Sequence, residues 1–336
     1  MRLLFCLMII FSTLNVVAQT SETSTTGVVS EFDESALALQ KQFDEMRSST
    51  LLHERLQANA EFIPQLVKTL KKKDSYDYPF KQLDGLSILN APDNTFRIIT
   101  WFVPLCDTLP EEKRNDKLEQ FGYRYYGAIQ LNSDEGLNLL PLYDVSDSLM
   151  TPEEEILSND NWYGAVYYNM IQRTHAGKDY YILFGWEGNN SITSTKKLAE
   201  VLTFKNGKPV FGAPIFEFFR DDYYMNRNRM ILEYKKDSGV SLNYNDQKEM
   251  IVYDYIKPES PEAKGNYYLY IPDGTYEGLI YTDGIWKHEK KVFNVTSTVP
   301  LQVDEPKKTG SSNANNDQNS PPKRKKTKKW WQFWKK

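Results

Sequence analysis

The stretch KLAEVLTFKNGKPVF, residues 197–211, places two runs of strand-forming residues around one tight turn. Leu, Val and Phe recur in the two runs, and β-branched and aromatic side chains favour strands. Asn206-Gly207 between the runs is a two-residue hairpin signal, because both turn residues must adopt positive φ. The stretch therefore predicts an antiparallel β-hairpin.

Similar strand signals continue on both sides of this hairpin, and Asp273-Gly274 and Asp283-Gly284 are further hairpin signals. Short loops between strands favour antiparallel neighbours. The sequence predicts a mainly β protein with a large antiparallel body over residues 74–303, as a meander, a sandwich or a propeller-like body. No repeat of fixed period singles out the propeller. TPEEEILS, residues 151–158, is predicted to be a short helical insertion.

Two runs near the N-terminus have helical periodicity instead. They predict an α-helical hairpin over residues 31–73 that precedes the β body and packs on it; a coiled-coil dimer arm is the alternative, although two heptads are few for one. Pro64 could kink or restart the second helix. The apolar positions are Phe32, Ala36, Leu39, Phe43 and Met46 in the first run, and Leu52, Leu56, Ala60, Ile63, Val67 and Leu70 in the second.

The first 18 residues have the pattern of a signal peptide. Arg2 precedes the apolar run Leu3–Phe11, and small residues lead to a cleavage site after Ala18. An uncleaved anchor or a buried helix is the alternative. We expect an exported protein, periplasmic or envelope-associated or extracellular, with no transmembrane span in the mature chain. The polar residues 19–30 are expected to form a disordered leader.

The C-terminus combines a polar linker with a basic, aromatic tail. Residues 304–322 have almost no apolar side chain, so we expect a disordered linker. Residues 323–336 hold eight Lys or Arg and no acid, while residues 1–322 carry a net charge of −12. The tail is predicted to bind a membrane or another anion through Lys323, Arg324, Lys325, Lys326, Lys328, Lys329, Trp330, Trp331, Phe333, Trp334, Lys335 and Lys336.

Three kinds of target suit such a tail. An anionic membrane surface attracts Lys and Arg, and Trp favours the headgroup zone. A polyanionic envelope polymer or an acidic partner, the protein's own body included, is the second. Nucleic acid is the third and is disfavoured by export. A solubilising tail without a specific partner is the alternative.

The sequence lacks the signatures of several chemistries. His53-Glu54 and His288-Glu289 do not continue into a zinc-protease motif, because Gln57 and Val292 stand at the position of the second His. Serine-hydrolase, P-loop and dinucleotide motifs are absent from the sequence. We expect neither a cofactor nor a metal. Cys106, the one cysteine of the predicted mature chain, is expected to be a buried apolar residue rather than a reactive thiol.

Carboxylates keep one enzymatic hypothesis open, because glycoside hydrolysis requires two placed acids. Glu187, beside Trp186 at a predicted strand end, is the best single candidate, and Asp144 and Glu217 are others. A solvated turn carboxylate is the alternative for Glu187. Both Trp186 and Glu187 are therefore weak site candidates.

Five Tyr-Tyr pairs occur, at 125–126, 167–168, 180–181, 223–224 and 267–268, and all but the pair at 223–224 lie in predicted strands. Neighbouring side chains of a strand point to opposite faces. Each pair could therefore place one ring outside, on an aromatic surface for glycan or peptide. Ordinary use of Tyr as a strand residue is the alternative.

The stretches YYILFGWEGNN, KLAEVLTFKNGKPVFGAPIF, RMILEYKKDSGVSLNYN, EMIVYDYIKPESP and YIPDGTYEGLIY resemble a group of uncharacterised exported β-rich proteins of Bacteroidetes-type bacteria. The resemblance covers about 200 residues, 95–295. It implies export and a β-rich body, and it implies no catalytic residue.

Three functional hypotheses follow. The first is an exported, non-catalytic binding or scaffold protein of the cell envelope, localised by its tail to an anionic surface, with a glycan or protein ligand on the β body. The second is an exported hydrolase of glycans that uses carboxylates. The third is a structural subunit of an envelope complex that docks through the N-terminal helices.

Overall fold

The computed structural model describes residues 31–105, 122–188, 193–220, 223–290 and 292–293. It is mainly β: of the described residues, 48% lie in strands and 20% in helices. The helical pair predicted before the β body is confirmed: α1 spans Glu31–Ser48 and α2 spans Leu52–Leu70. Pro64 lies inside α2 without ending it. The predicted signal peptide, leader, linker and tail, together with Cys106, lie outside the described residues.

Three sheets form the β body. Sheet 1 is a meander of β1 Ser87–Asn90, β2 Phe96–Pro104, β3 Tyr123–Leu131 and β4 Asn138–Tyr143. Sheet 2 contains β5 Leu157–Ser158, β6 Val166–His175, β7 Lys178–Glu187, β8 Ser194–Lys205, β9 Lys208–Phe211 and β12 Arg229–Lys235. Sheet 3 contains β10 Phe216–Arg220, β11 Tyr223–Arg227, β13 Leu242–Asn245, β14 Met250–Pro258, β15 Tyr270–Thr282 and β16 Ile285–Glu289.

The strand pairing is antiparallel, as predicted, with one exception among the described strands. β10 pairs parallel with β16, joining Phe216 to Trp286 and Glu217 to Lys287. Sheet 3 has the order β11-β10-β16-β15-β14-β13, so β16, the last strand in the sequence, lies between β10 and β15. Sheet 3 is therefore mixed.

Side-chain alternation along the strands stacks the elements in layers. In β2, Ile99 and Trp101 belong to the apolar core shared with α1 and α2, whereas Phe96 and Ile98 belong to the core between sheets 1 and 2. In β7, Ile182 and Phe184 belong to a further core between sheets 2 and 3, while Leu183 faces the other way. The order is helices, sheet 1, sheet 2, sheet 3, which is the sandwich form of the predicted body.

One face of each helix packs inside this stack. For α2 it is not the predicted face: Leu70 is buried as predicted, but Ala60 is exposed, and Ala58, Phe62 and Leu66 are buried instead. Ala36, Leu39 and Phe43 of α1 and Phe62 of α2 are buried in the core that they share with sheet 1. The packing of the hairpin on the body is thus confirmed. The apolar residues of the hairpin pack on sheet 1 rather than on a second hairpin.

Two of the predicted hairpins are confirmed and one is wrong. Asn206-Gly207 joins β8 to β9, and Asp283-Gly284 joins β15 to β16, with positive φ at all four residues. Gly274 also has positive φ, but β15 passes through Asp273-Gly274 as one strand paired with β14. The pairing has a register shift between Asp254 and Ile256 opposite this part of β15, so the chain is kinked there without turning back.

The predicted helical insertion at residues 151–158 is wrong. The segment forms turns that lead into β5. The Asn228 backbone N–H donates to the Glu153 carbonyl at 2.8 Å, and Arg229 Nη1 donates to the Pro152 carbonyl. These tertiary hydrogen bonds take carbonyls that a helix would have used internally.

A buried ion pair joins β8 to β12. Glu200 and Arg229 have fully buried side chains, and an Arg229 Nη2 to Glu200 Oε1 distance of 2.6 Å. Tyr167 Oη donates to Glu200 Oε2 at 2.5 Å, and Trp162 Nε1 donates to Tyr167 Oη at 2.8 Å. Arg229 also donates to the carbonyls of Glu155 and Phe211. Every charged group in this network therefore has a partner, as burial requires.

Arg229→Met is expected to lower the free energy of unfolding by about 3–5 kcal/mol, because it leaves Glu200 buried without its counter-charge. Arg227→Met is the matched control: Arg227 pairs with Glu154 at 2.7 Å, but the side chains are 31% and 57% exposed. The control is expected to cost less than about 1 kcal/mol. Urea unfolding of both variants measures the difference, and equal costs would contradict the assigned role of the pair.

Candidate functional site

Glu187, the best carboxylate candidate from the sequence, is a buried member of an ion pair. It ends β7 directly opposite Lys196 of β8, is 4% exposed, and accepts a Lys196 Nζ contact of 3.3 Å at Oε2. Tyr163 Oη donates to the same oxygen at 3.4 Å. The solvated-turn interpretation of Glu187 is therefore wrong. Its described contacts are those of a structural ion pair between two strands.

Burial also affects the tyrosines around Glu187. Desolvation, reinforced by the nearby Glu187 charge, raises the pKa of Tyr125 and of Tyr163 well above the ordinary value. Tyr125 Oη accepts a hydrogen bond from the Gly188 backbone N–H at 2.6 Å. Both phenols therefore remain protonated donors or acceptors at neutral pH.

Trp186 supports this end of β7 by packing. Its ring lies 5.3 Å from the ring of Phe102 and 5.2 Å from that of Tyr123, between centroids. Its Nε1 donates to Thr195 Oγ1 at 2.7 Å. Trp186 therefore joins sheet 1 to sheet 2, and its indole donor is satisfied within the protein.

The other two carboxylate candidates differ in their relation to Glu187: the charges of Asp144 and Glu187 both act on Tyr125, whereas Glu217 lies on sheet 3. Asp144 accepts from the Tyr125 backbone N–H at 2.9 Å and from the N–H and hydroxyl of Ser146 at 3.0 and 2.7 Å, so it fixes the end of β4. Glu217 lies in β10 and lines a surface depression of sheet 3. The structure therefore does not bring Glu217 together with Glu187.

The Tyr-Tyr pairs at 125–126, 167–168 and 180–181 point to opposite faces of their strands, as predicted, but none of the three exposes a ring to form a surface. Tyr167 lies in the core between sheets 1 and 2, and Tyr168 packs against the core between sheets 2 and 3. The pairs at 125–126 and 180–181 are divided between cores in the same way. Both faces of the central strands of sheets 1 and 2 lie in these cores, whereas β4, at the edge of sheet 1, has Tyr143 56% exposed. Tyr267 and Tyr268 are 51% and 42% exposed, but they lie in a short 3₁₀ helix, so the predicted strand is wrong for this pair. The side chains of the pair at 223–224 lie outside the described part of the chain.

The open sheet face is on sheet 3. Its inner side packs on sheet 2 through residues such as Phe216, Ile251 and Leu279. The register places Glu217, Lys287 and Ile280 side by side on the opposite side, which we call the outer face. Sequence reasoning missed this face because β11 and the β10–β16 pairing were not predicted. The Asp283-Gly284 turn signal was its only local sign.

Two shallow depressions lie on or beside the outer face. The first, of about 540 Å³, is called the charged depression and is lined by Glu217, Ile280, Lys287, His288, Glu289 and Lys290. The second, of about 430 Å³, is called the aromatic depression and is lined chiefly by Asn243, Tyr244, Asn245, Val252, Tyr276 and Phe293.

His288 forms a polar cluster at the edge of the charged depression. His288 Nε2 lies 2.9 Å from Glu277 Oε2, and Tyr253 Oη donates to the same carboxylate oxygen at 3.2 Å. The His288 and Glu277 side chains are only 6% and 15% exposed. The pair therefore stiffens the junction of β15 and β16 and presents little surface to a ligand.

No group of three or more His, Cys, Asp or Glu residues is positioned to hold a metal ion within the described ranges. None of the described helices combines the length and the apolar composition needed to cross a bilayer. The basic tail lies outside these ranges. Comparison with known proteins finds no matching family model, curated protein or solved structure.

The buried tyrosines make alkaline stability a test of this packing. Burial raises the pKa of Tyr181 to about 12, and the pKa of Tyr125, Tyr163 and Tyr167 further. The folded state keeps these protons while the unfolded chain loses them above about pH 10. Stability is therefore complete below about pH 10, and each fully buried tyrosine then lowers it by up to about 1.4 kcal/mol per pH unit.

Urea unfolding across this pH range, followed by tyrosinate absorbance, measures the effect. Tyr163→Phe is expected to flatten the loss of stability with pH, whereas Tyr267→Phe, at an exposed position, is expected to leave it unchanged. An equal loss of stability with pH in Tyr163→Phe and in the unaltered chain would show that Tyr163 ionises in the folded state and would contradict this packing.

Proposed function

We propose that the protein is an exported, non-catalytic binding or scaffold protein of the cell envelope. The tail over residues 323–336 holds it at an anionic surface, and the outer face of sheet 3 binds a polar ligand, a glycan or a peptide. Export rests on the signal-peptide pattern of residues 1–18.

One observation carries the binding role. The layers cover both faces of the central strands of sheets 1 and 2, and they leave the outer face of sheet 3 as a broad, shallow surface. In the charged depression, Glu217, Lys287 and Glu289 supply charges of both signs beside the 41% exposed Ile280. Such mixed, shallow surfaces suit contact with an extended polar partner more than enclosure of a reacting small molecule.

The tail supplies the attachment in this proposal. Each Lys or Arg near an anionic membrane contributes about 1 kcal/mol, and salt weakens the attraction. Trp330 and Trp334 are one helical turn apart, and Trp331 shares their face, so a helical tail would present its indoles to the headgroup zone. A polyanionic envelope polymer offers the same charges without the apolar zone.

The described contacts favour neither alternative function. Hydrolysis of glycans requires two facing carboxylates in a cleft, whereas Glu187 is paired with Lys196 and Glu217 lies on another sheet. A structural subunit that docks through its helices requires a free helical surface, whereas the apolar faces of α1 and α2 are buried against sheet 1.

The mature chain is expected to co-sediment with anionic vesicles and not with neutral ones, and to lose this binding when residues 323–336 are removed. Lys328→Gln/Lys329→Gln is expected to weaken binding about 30-fold at low salt, from about 1 kcal/mol for each charge. Equal binding of the full and truncated chains would contradict the proposed anchor.

Two further variants separate charge from aromatic insertion. Replacement of Trp330, Trp331 and Trp334 by Ala removes the indoles and keeps every charge. If this variant binds vesicles as the unaltered chain does, the tail recognises anionic charge alone, and a soluble polyanion should compete with the vesicles equally well for both chains.

A further inference from the structure

The aromatic depression differs from the charged depression in the chemistry of its lining. None of the described residues that line it carries a carboxylate, an ammonium or a guanidinium group; they supply hydroxyl, amide, aliphatic and aromatic groups instead. Its volume of about 430 Å³ lies within the range of about 300–1,000 Å³ that is usual for small-ligand sites. An uncharged ligand therefore matches this lining better than an ion does.

Two charged residues beside the depression are engaged within the protein. Lys248 Nζ lies 4.9 Å from the centroid of the Phe293 ring, as in a cation–π contact. Asp254, the cross-strand neighbour of Tyr276, accepts a hydrogen bond from the Ser241 backbone N–H at 2.6 Å and is only 7% exposed. The polar character of the depression therefore comes from neutral groups.

The strand register places the lining side chains on one face of sheet 3. Asn243 lies opposite Val252, and Val252 lies opposite Gly278 in the next strand. Tyr276 precedes Gly278 by two residues, so its side chain points to the same face. A Cβ at position 278 would lie 2.8 Å from Val292 Cγ2, so the absence of a side chain at Gly278 lets the residues after β16 lie close against the sheet.

Two aromatic rings form a corner in the depression. The Val292 backbone N–H donates to the Tyr276 carbonyl at 3.1 Å, which holds the next residue, Phe293, beside Tyr276. The two ring centroids are 5.5 Å apart, and the ring planes lie at 85° to each other. Each side chain is 36% exposed, so part of both rings is open to a ligand. A saturated ring fits such a corner with its face on one aromatic ring and its edge against the other.

Two asparagines supply oriented hydrogen-bond donors. Asn243 Oδ1 accepts from Asn169 Nδ2 at 2.7 Å and from the Tyr244 backbone N–H at 2.9 Å. Asn245 Oδ1 accepts from the Lys248 backbone N–H at 2.9 Å. Because these N–H groups fix both oxygens, each Nδ2 holds its two donors on the other side of its amide. Neither Nδ2 group has a hydrogen-bond partner among the residues that the structure describes.

A carbohydrate combines the two properties that this surface requires. A pyranose ring presents C–H groups on its face and hydroxyl groups along its edge, so it packs on an aromatic ring while its edge bonds to amides. We propose that the aromatic depression binds an uncharged glycan, with one pyranose ring in the corner of Tyr276 and Phe293 and with its hydroxyl groups accepting from Nδ2 of Asn243 and Asn245. This inference rests on the proposed binding role of the outer face, and it names the class of ligand and the place where the ligand binds.

An extended peptide fits this surface less well. A peptide that adds to a sheet pairs with the backbone of an edge strand. Val252 and Tyr276 lie in β14 and β15, which have a paired strand on each side. Proline-rich peptides bind aromatic grooves without backbone pairing, so they are the peptide class against which the glycan is compared.

A microarray of neutral and acidic oligosaccharides, probed with the mature chain, tests the proposal first. At least one neutral glycan is expected to bind. Neutral glycans are the diagnostic set, because they carry no charge for the basic residues of the tail to attract. The smallest neutral glycan that binds is then titrated into each variant by isothermal titration calorimetry.

Tyr276→Ala is expected to weaken the binding of this glycan about ten-fold, because it removes the stacking surface. Tyr276→Trp keeps an aromatic face and is expected to bind within about three-fold of the unaltered chain. The matched control Tyr267→Ala removes a ring that is 51% exposed outside the depression, and it is expected to leave the affinity unchanged. Circular dichroism establishes that each variant is folded.

Three outcomes would overturn the proposal. The first is an array on which no neutral glycan binds. The second is binding of deca-proline that Tyr276→Ala weakens, in place of a neutral glycan, which would assign the site to a peptide. The third is a neutral glycan whose affinity falls in Lys287→Gln and not in Tyr276→Ala, which would place the ligand in the charged depression. The second and third outcomes would leave the proposed binding role of the outer face intact, whereas the absence of both glycan and peptide binding would contradict that role as well.

Discussion

β8 pairs first with β12 and then with β9, and Arg229 donates hydrogen bonds to backbone carbonyls at the point where the pairing changes. The first half of β8 pairs with β12 and its last residues pair with β9, so the ladder is interrupted between Glu200 and Leu202. The Arg229 guanidinium bonds the carbonyls of Pro152, Glu155 and Phe211 at this point, and Glu200 balances its charge. Without such a donor, these carbonyls would be buried near an interrupted ladder and would cost free energy.

Sheet 2, in which β8 pairs with both β12 and β9, is covered on both sides. β7 and β8 contribute side chains to the core shared with sheet 1 and to the core shared with sheet 3. Sheet 1 is likewise covered by the helices on one side and by sheet 2 on the other. The arrangement of layers therefore decides where binding can occur. The candidate binding surfaces are therefore the outer face of sheet 3 and the basic tail, rather than the surroundings of Glu187 at the end of β7.

Local sequence signals predicted most individual strands and hairpins well. They predicted the pairing of strands that are distant in the sequence poorly. Asn206-Gly207 identified a hairpin because positive φ at both residues is a local requirement. Asp273-Gly274 carried the same signal, yet β15 continues through it, since pairing with β14 outweighs the turn preference. The parallel pair of β10 and β16 joins segments about 70 residues apart, and no local pattern encodes it.

Burial of charge was likewise invisible to local patterns. Glu200 stands between Ala199 and Val201 in a run that is otherwise apolar, which was the one available sign of a buried acid that needs a partner. Its partner Arg229 opens a strand 29 residues later and resembles an ordinary surface residue. For the same reason the sequence did not indicate that Glu187 is paired, because its cross-strand neighbour Lys196 is identified only by the strand register.

Hydrogen exchange of the native protein, followed by mass spectrometry, tests the layered arrangement most directly. Peptides from β7 and the first half of β8 should exchange most slowly, and only through global unfolding, because sheet 2 is covered on both faces. Peptides from α1 and from β13, at the two outer layers, should exchange earlier through local opening. Exchange of β7 and β8 as fast as that of α1 would contradict the placement of sheet 2 at the centre of the stack.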